Sequence, residues 1–201
     1  MPPCVAGLGF VLVVLFSGCV VDVRYPPAGR ALVPGPAQAL VFGRVRVLED
    51  GVDVTREYCD PWAFSARSDA LLDLALATAD RRRVCLHAVT ENDGAFYWLL
   101  PRGRYVLAEV RYGEGFDPAL GFVVPDGAAC VYVGTLELQA TTGPVIHGAL
   151  AKRRVHVRRE VRELAVSVAD EGDEERAALA RRFAGMPVSC VTQLLVPPAT
   201  E

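Results

Sequence analysis

The chain reads as a mainly β protein: an antiparallel β-sandwich with a short inserted helix and a C-terminal strand-helix-strand extension. Three observations predict this. Short alternating runs of apolar and polar residues recur between positions 39 and 139, the breaks between them are built from Gly, Pro, Asn and Asp, and helical patterning is confined to two short stretches. Strands of this kind bury one face and wet the other, so two sheets close on each other.

The elements follow in order. After Val20, the segments Tyr25-Pro-Pro-Ala-Gly29 and Val33-Pro-Gly-Pro36 resist regular structure, so residues 19–38 read as an extended, flexible tether. Ala39 to Leu48 alternates as a first strand, with Val41, Gly43, Val45 and Val47 on one face and Phe42, Arg44 and Arg46 on the other. Glu49-Asp50-Gly51 turns the chain. An insertion at 53–83 follows, in which Ser68 to Thr78 has helical propensity and Ser68 serves as N-cap. Strands are then expected at Arg83 to Thr90, Ala95 to Leu100, Arg104 to Tyr112, Ala119 to Val124 and Ala128 to Gln139. They are separated by Glu91-Asn-Asp-Gly94, Pro101-Arg-Gly103 and Pro125-Asp-Gly127, among other breaks.

These strands and their insertion form one domain over 39–140, and residues 141–201 form an extension that packs on it. Past Thr142-Gly143-Pro144, Lys152 to Asp170 reads as one hairpin arm or two short strands. Asp173 to about Phe183 is a helix: Asp173 caps it, acids occupy its first turn and arginines its last. Leu179 and Phe183 lie one turn apart and would dock it on the sheet. Val188 to Val196 is the expected final strand.

The N-terminus has its own logic. Val5 to Phe16 has the length of a signal-peptide hydrophobic core, and Leu15-Phe16-Ser17-Gly18-Cys19 resembles the bacterial lipobox. The resemblance implies removal of residues 1–18 as a signal peptide and acylation of Cys19, with palmitate-type chains holding the protein on a bilayer. Val20 stands where Asp would imply retention at the inner membrane, so the implied address is the outer membrane of the cell envelope. The alternative reading of the same residues is an uncleaved anchor over Val5 to Val21, close to the lower limit for spanning a bilayer.

Asp93-Gly94-Ala95-Phe96, followed by Leu100-Pro101-Arg102-Gly103-Arg104-Tyr105, resembles the carboxypeptidase-regulatory-like and transthyretin-like (prealbumin-like) domains. Phe42-Gly43-Arg44-Val45 is similar to their first strand. The resemblance covers about residues 40–140 and implies a sandwich in which Phe96, Leu100 and Tyr105 face one core. Domains of this build serve adhesion, carbohydrate contact and spacing alike, so the fold implies no single activity.

Composition excludes more than it assigns. A net charge of −3 lacks the basic face that nucleic acid would require. Apart from Cys4 and Cys19, the cysteines are Cys59, Cys85, Cys130 and Cys190; in an oxidising compartment they allow up to two disulfides in three connectivities, or four free thiols. None is spaced as Cys-x-x-Cys, and His87, His147 and His156 show no ligand spacing, so neither metal nor cofactor is expected. No serine stands in a Gly-x-Ser-x-Gly elbow. Asp170-Glu171-Gly172-Asp173-Glu174-Glu175 reads as a helix N-terminus, with a calcium loop as the alternative. Tyr58, Trp62 and Phe64 would form a ligand-contact patch if exposed; core packing is the alternative.

The function expected is a non-catalytic envelope lipoprotein, a binding or structural module with an envelope protein or glycan as partner. The alternatives are an envelope hydrolase or its accessory subunit, and an assembly factor that pairs through a sheet edge.

Overall fold

The computed structural model describes residues 23–59, 72–80, 84–85, 90–112, 114–147, 157–183, 185–186 and 189–197. Within them the protein is mainly β, as expected. The strands are β1 (Gln38–Glu49), β2 (Val52–Asp53), β3 (Asp73–Thr78), β4 (Val84–Cys85), β5 (Ala95–Pro101), β6 (Gly103–Tyr112), β7 (Glu114–Phe116), β8 (Leu120–Val124), β9 (Cys130–His147), β10 (Val157–Ala169) and β11 (Val191–Thr192). The helices are α1 (Thr55–Cys59) and α2 (Gly172–Arg182).

Two sheets form. In sheet A, β9 runs between β1 on one side and β10 and β11 on the other, while β1 also pairs with β2 and β5. In sheet B, β6 pairs with β3, β7 and β8, and β4 lies outside β3. The expectation of purely antiparallel pairing is corrected here: β1 and β9 run parallel, as do β9 and β11. Neither pair is joined by a hairpin, so no tight turn dictates antiparallel pairing. The chain visits sheet B between β5 and β9 and returns in the other sense.

A second correction concerns the insertion. Asp73–Thr78, expected as the end of a helix, is β3, paired along its length with β6. Leu74 and Leu76 enter the space between the sheets. Its Ala- and Leu-rich sequence has helical propensity, but a buried strand beside β6 satisfies both its ladder and its apolar surface, and that context prevails. Ser68 and its neighbours lie outside the described residues, as do residues 86–89 of the strand expected over 83–90. The helix that does form nearby is α1, one short turn after the β1–β2 hairpin, whose turn residues Asp50 and Gly51 have φ of 50° and 83°.

The main core lies between the sheets. Val41, Val45, Val47, Phe96, Trp98 and Leu100 enter from sheet A and meet Leu74, Leu76, Tyr105, Leu107 and Phe122 from sheet B. Phe96 stacks on Trp98 with ring centroids 4.1 Å apart. The faces of β1 match the alternation in its sequence, and Phe96, Leu100 and Tyr105 share this core. Gly94 has φ of 83°, and a Cβ there would collide with the Val45 carbonyl, so the turn before β5 excludes any side chain.

The tether also differs from expectation. Between Val23 and Leu32 it touches the domain at several points, while Tyr25 and Val33 stay exposed. Arg24 and Leu99 exchange backbone hydrogen bonds, which add one bridge to the open edge of β5, and the Gly29 N–H donates to the Arg182 carbonyl at 3.0 Å. Pro26 is buried and Val23 packs on the main core.

Candidate functional site

The outer face of sheet A carries the densest polar chemistry of the described residues. Phe42, Tyr97 and Tyr132 project there with Leu40 and Cys130, and α2 covers them through Leu179 and Phe183. Both docking residues were expected from their spacing. The start of α2 differs by one detail: Asp173 sits inside the first turn, Glu171 is the N-cap residue without a side-chain cap, and Asp170 accepts from the Gly172 N–H at 3.1 Å.

Two arginines of β1 hold the helix. Arg44 donates through Nε to Glu175 at 2.6 Å and pairs with Asp93 at 3.2 Å. Glu175 is 1% exposed, and its second oxygen, Oε2, has no hydrogen-bond partner. Burial opposes the charge of Arg44, but the hydrogen bond and attraction of Glu175 outweigh it and hold the guanidinium well above its ordinary range. Arg46 grips Glu171 with two bonds of 2.8 and 2.9 Å and reaches Glu137 at 3.0 Å. The Thr135 hydroxyl also donates to Glu171, and the Tyr132 hydroxyl accepts from the Glu171 N–H. At the other end of α2, Arg182 lies 4.7 Å from the Tyr97 ring centroid and pairs with Glu91 at 2.5 Å.

Most of the acidic cluster is engaged within the protein. Glu171 and Glu175 neutralise arginines of the sheet, and Asp173 pairs with Arg176 at 3.2 Å. Among the described residues no three His, Cys, Asp or Glu side chains are grouped to hold a metal ion.

The cysteines divide. Cys130 and Cys190 form a disulfide that fastens the C-terminal segment to β9 beside α2. Cys59 is a buried free thiol, and burial pushes its pKa up, so it is a poor nucleophile. The expectation of up to two disulfides is thus met by one bridge among the described residues; Cys85 lies on β4, its side chain outside what is described.

The expected aromatic patch takes its packing alternative at Tyr58. That ring is buried edge-on against Tyr112, 4.9 Å between centroids, and its hydroxyl donates to the buried Glu49 carboxylate. Tyr112 donates to the same oxygen at 2.6 Å; burial and then the Glu49 hydrogen bond push its pKa up. This cluster seats α1 on β1. Trp62, Phe64, His87, His156 and Cys19 lie outside the described residues, and His147 ends β9.

One feature remains uncommitted. β1 pairs with β9 as far as Glu49 and Ala140, but β9 continues to His147, paired with β10 alone. Thr142 is still tied to Asp50 by its N–H at 3.0 Å and its hydroxyl at 2.6 Å, and the five residues from Gly143 to His147, at roughly 3.3 Å each, carry the hairpin about 16 Å beyond that contact. On β10, Val161 is 37% exposed, and Arg162 and Glu163 are exposed beside it. The strand expected to end at Gln139 thus runs on through Thr142-Gly143-Pro144, because pairing with β10 satisfies its ladder there, and the length of the arm also depends on where β1 ends.

No family model, curated protein or solved structure matches this chain.

Proposed function

We propose that this is a non-catalytic module of the cell envelope, anchored through acylated Cys19, that presents the β9–β10 arm to a protein partner. The geometry of the two ends carries the reading. The chain joins the domain at Val23, beside Leu99 near the Pro101 end of β5. The arm leaves from the opposite end of sheet A, where β1 stops at Glu49. Four peptide steps separate Cys19 from Val23, a reach of at most about 14 Å, so an anchor at Cys19 would hold the body against the bilayer. The arm is then the part able to reach away from that attachment.

The C-terminal extension supports the same division of labour. Its ion pairs and disulfide secure α2 on the outer face of sheet A, which steadies the base of the arm. The sandwich is of transthyretin or carboxypeptidase-regulatory type on this reading, a scaffold whose role lies in what it displays.

Intact mass of the protein extracted from membranes tests the anchor. Cleavage before Cys19 with added acyl mass is expected; an unmodified chain retaining residues 1–18 overturns it. Shortening the arm by replacing residues 143–160 with a two-residue turn should leave folding intact and abolish envelope crosslinks. Crosslinks that survive this deletion would remove the arm from the function.

A further inference from the structure

We propose that the partner of the β9–β10 arm is a second copy of this chain, joined by antiparallel pairing of β10 with β10 about a two-fold axis at Val161. This rests on the arm being the interaction element. β10 is an edge strand: it pairs with β9, and among the described residues no strand pairs with its other side over Val157–Ala169. A free edge of this length is a template for another strand.

The sequence of β10 selects the occupant. Around Val161 it reads Arg158-Arg159-Glu160-Val161-Arg162-Glu163. In a two-fold antiparallel pair centred on residue 161, each residue above the centre faces the residue equally far below it on the other copy. Glu160 then faces Arg162, and Arg159 faces Glu163. Symmetry makes each pair twice, giving opposite charges at the two positions on either side of the centre, while Arg158 meets Leu164.

Neighbouring registers fail this test. Because side chains alternate faces, a two-fold axis normal to the sheet must pass through a residue position. Centres at Arg159, Glu160, Arg162 or Glu163 each oppose a charge with itself. Val161 is the one centre between Arg159 and Glu163 that places an apolar residue on the axis, and it is among the exposed large apolar side chains. Arg162 and Glu163 form no ion pair among the described residues, whereas Arg44 and Arg46 on the same sheet are fully engaged.

The ladder between β9 and β10 shifts register on both sides of Val161, near Pro144, which has no N–H to donate. Such irregularity interrupts strict alternation and discourages indiscriminate pairing, so the register centred on Val161 requires β10 to straighten across 159–163 as the two copies join. The charge pattern restores selectivity for one register. An axis normal to sheet A also lets both N-termini approach one bilayer when the sheets lie along it.

The test uses the full chain in intact cells. Val161→Cys should give an oxidatively crosslinked homodimer, absent from the native chain. Adding Glu160→Arg with Glu163→Arg, or Arg159→Glu with Arg162→Glu, should each reduce that band on the order of tenfold. Co-expression of the two charge variants with different tags should restore it as a mixed dimer. No Val161→Cys homodimer, or one indifferent to both charge variants, overturns the proposal. A photo-reactive phenylalanine at position 161 separates the two readings. Capture of a different protein overturns the second copy and leaves the arm reading standing; capture of nothing, together with no homodimer, removes both.

Discussion

Sheet A is held differently on its two faces. Its inner face meets sheet B through apolar side chains, with Trp98, Phe96 and Leu100 buried to within a few per cent. Its outer face meets α2 through aligned charges, a ring-stacked arginine and a disulfide, around a smaller apolar patch. Apolar burial is non-directional and sums over area, so it sets global stability. Ion pairs and a disulfide are directional and fix where one element sits. The inner face therefore determines whether the domain folds, and the outer face determines where the C-terminal extension, and with it the base of the arm, is placed.

The sharpest way to break this contrast is on the inner face. Trp98→Ala removes a fully buried ring stacked on Phe96 and should cost about 3–5 kcal/mol, read from urea unfolding followed by circular dichroism. All elements should melt together in this variant. Preferential loss of α2 with an intact sandwich would contradict the division.

Reducing the Cys130–Cys190 bridge comes next. It closes a loop of 60 residues containing β10 and α2, so its loss should cost about 2–4 kcal/mol. The effect should be local: limited proteolysis is expected to cut near residues 184–190 while the strands from β1 to β8 stay protected. General degradation on reduction would show that the staple serves the whole fold.

Glu175→Gln should cost about 1–3 kcal/mol by leaving Arg44 half-buried with Asp93 as its remaining carboxylate partner. Hydrogen exchange of the α2 amides should accelerate, with those of β5 and β6 unchanged. Equal acceleration in both would mean that this ion pair supports the core as well as the helix.

The two faces were also unequally readable in the sequence. Alternation along β1 and the turn residues around β5 and β6 identify the inner face, because burial imposes a period of two and turns demand Gly and Pro. Leu179 and Phe183 give the docking stripe of α2. The partners of Arg44 and Arg46 could not be read, because Glu175 and Glu171 lie more than 120 residues away in the chain. Asp73–Thr78 misleads for the reverse reason: its local helical propensity is overridden by a neighbour, β6, that the sequence brings beside it only in the fold. The tether misleads similarly, since its prolines resist regular structure without preventing the Arg24–Leu99 bridge. For the candidate site, β10 was visible as one hairpin arm or two short strands, but the strand before it was expected to end at Gln139, whereas β9 runs through Thr142-Gly143-Pro144 to His147. The charge order around Val161 acquires meaning once β10 is known to be an edge.

The smallest effect expected is a pH dependence confined to the outer face. The hydrogen bond from Arg46 holds the Glu171 carboxyl below its ordinary value of 4.5, against a smaller opposing effect of burial. A carboxylate whose pKa is depressed by folding adds stability that is fully present above its unfolded pKa and fades as pH falls through its folded one. The contribution should therefore be intact at neutral pH and decline below about pH 4.5 as Glu171 takes up a proton and releases Arg46. The side chains of Arg46 and Glu171 are each 26% exposed, so solvent screening keeps the gain under about 1 kcal/mol. In Glu171→Gln the acid-side loss should be shallower than in the native chain, with the difference seen in exchange of the α2 amides and not in unfolding of the sandwich. An identical acid profile in the two proteins would mean that Glu137, the other carboxylate on Arg46, holds the arginine by itself.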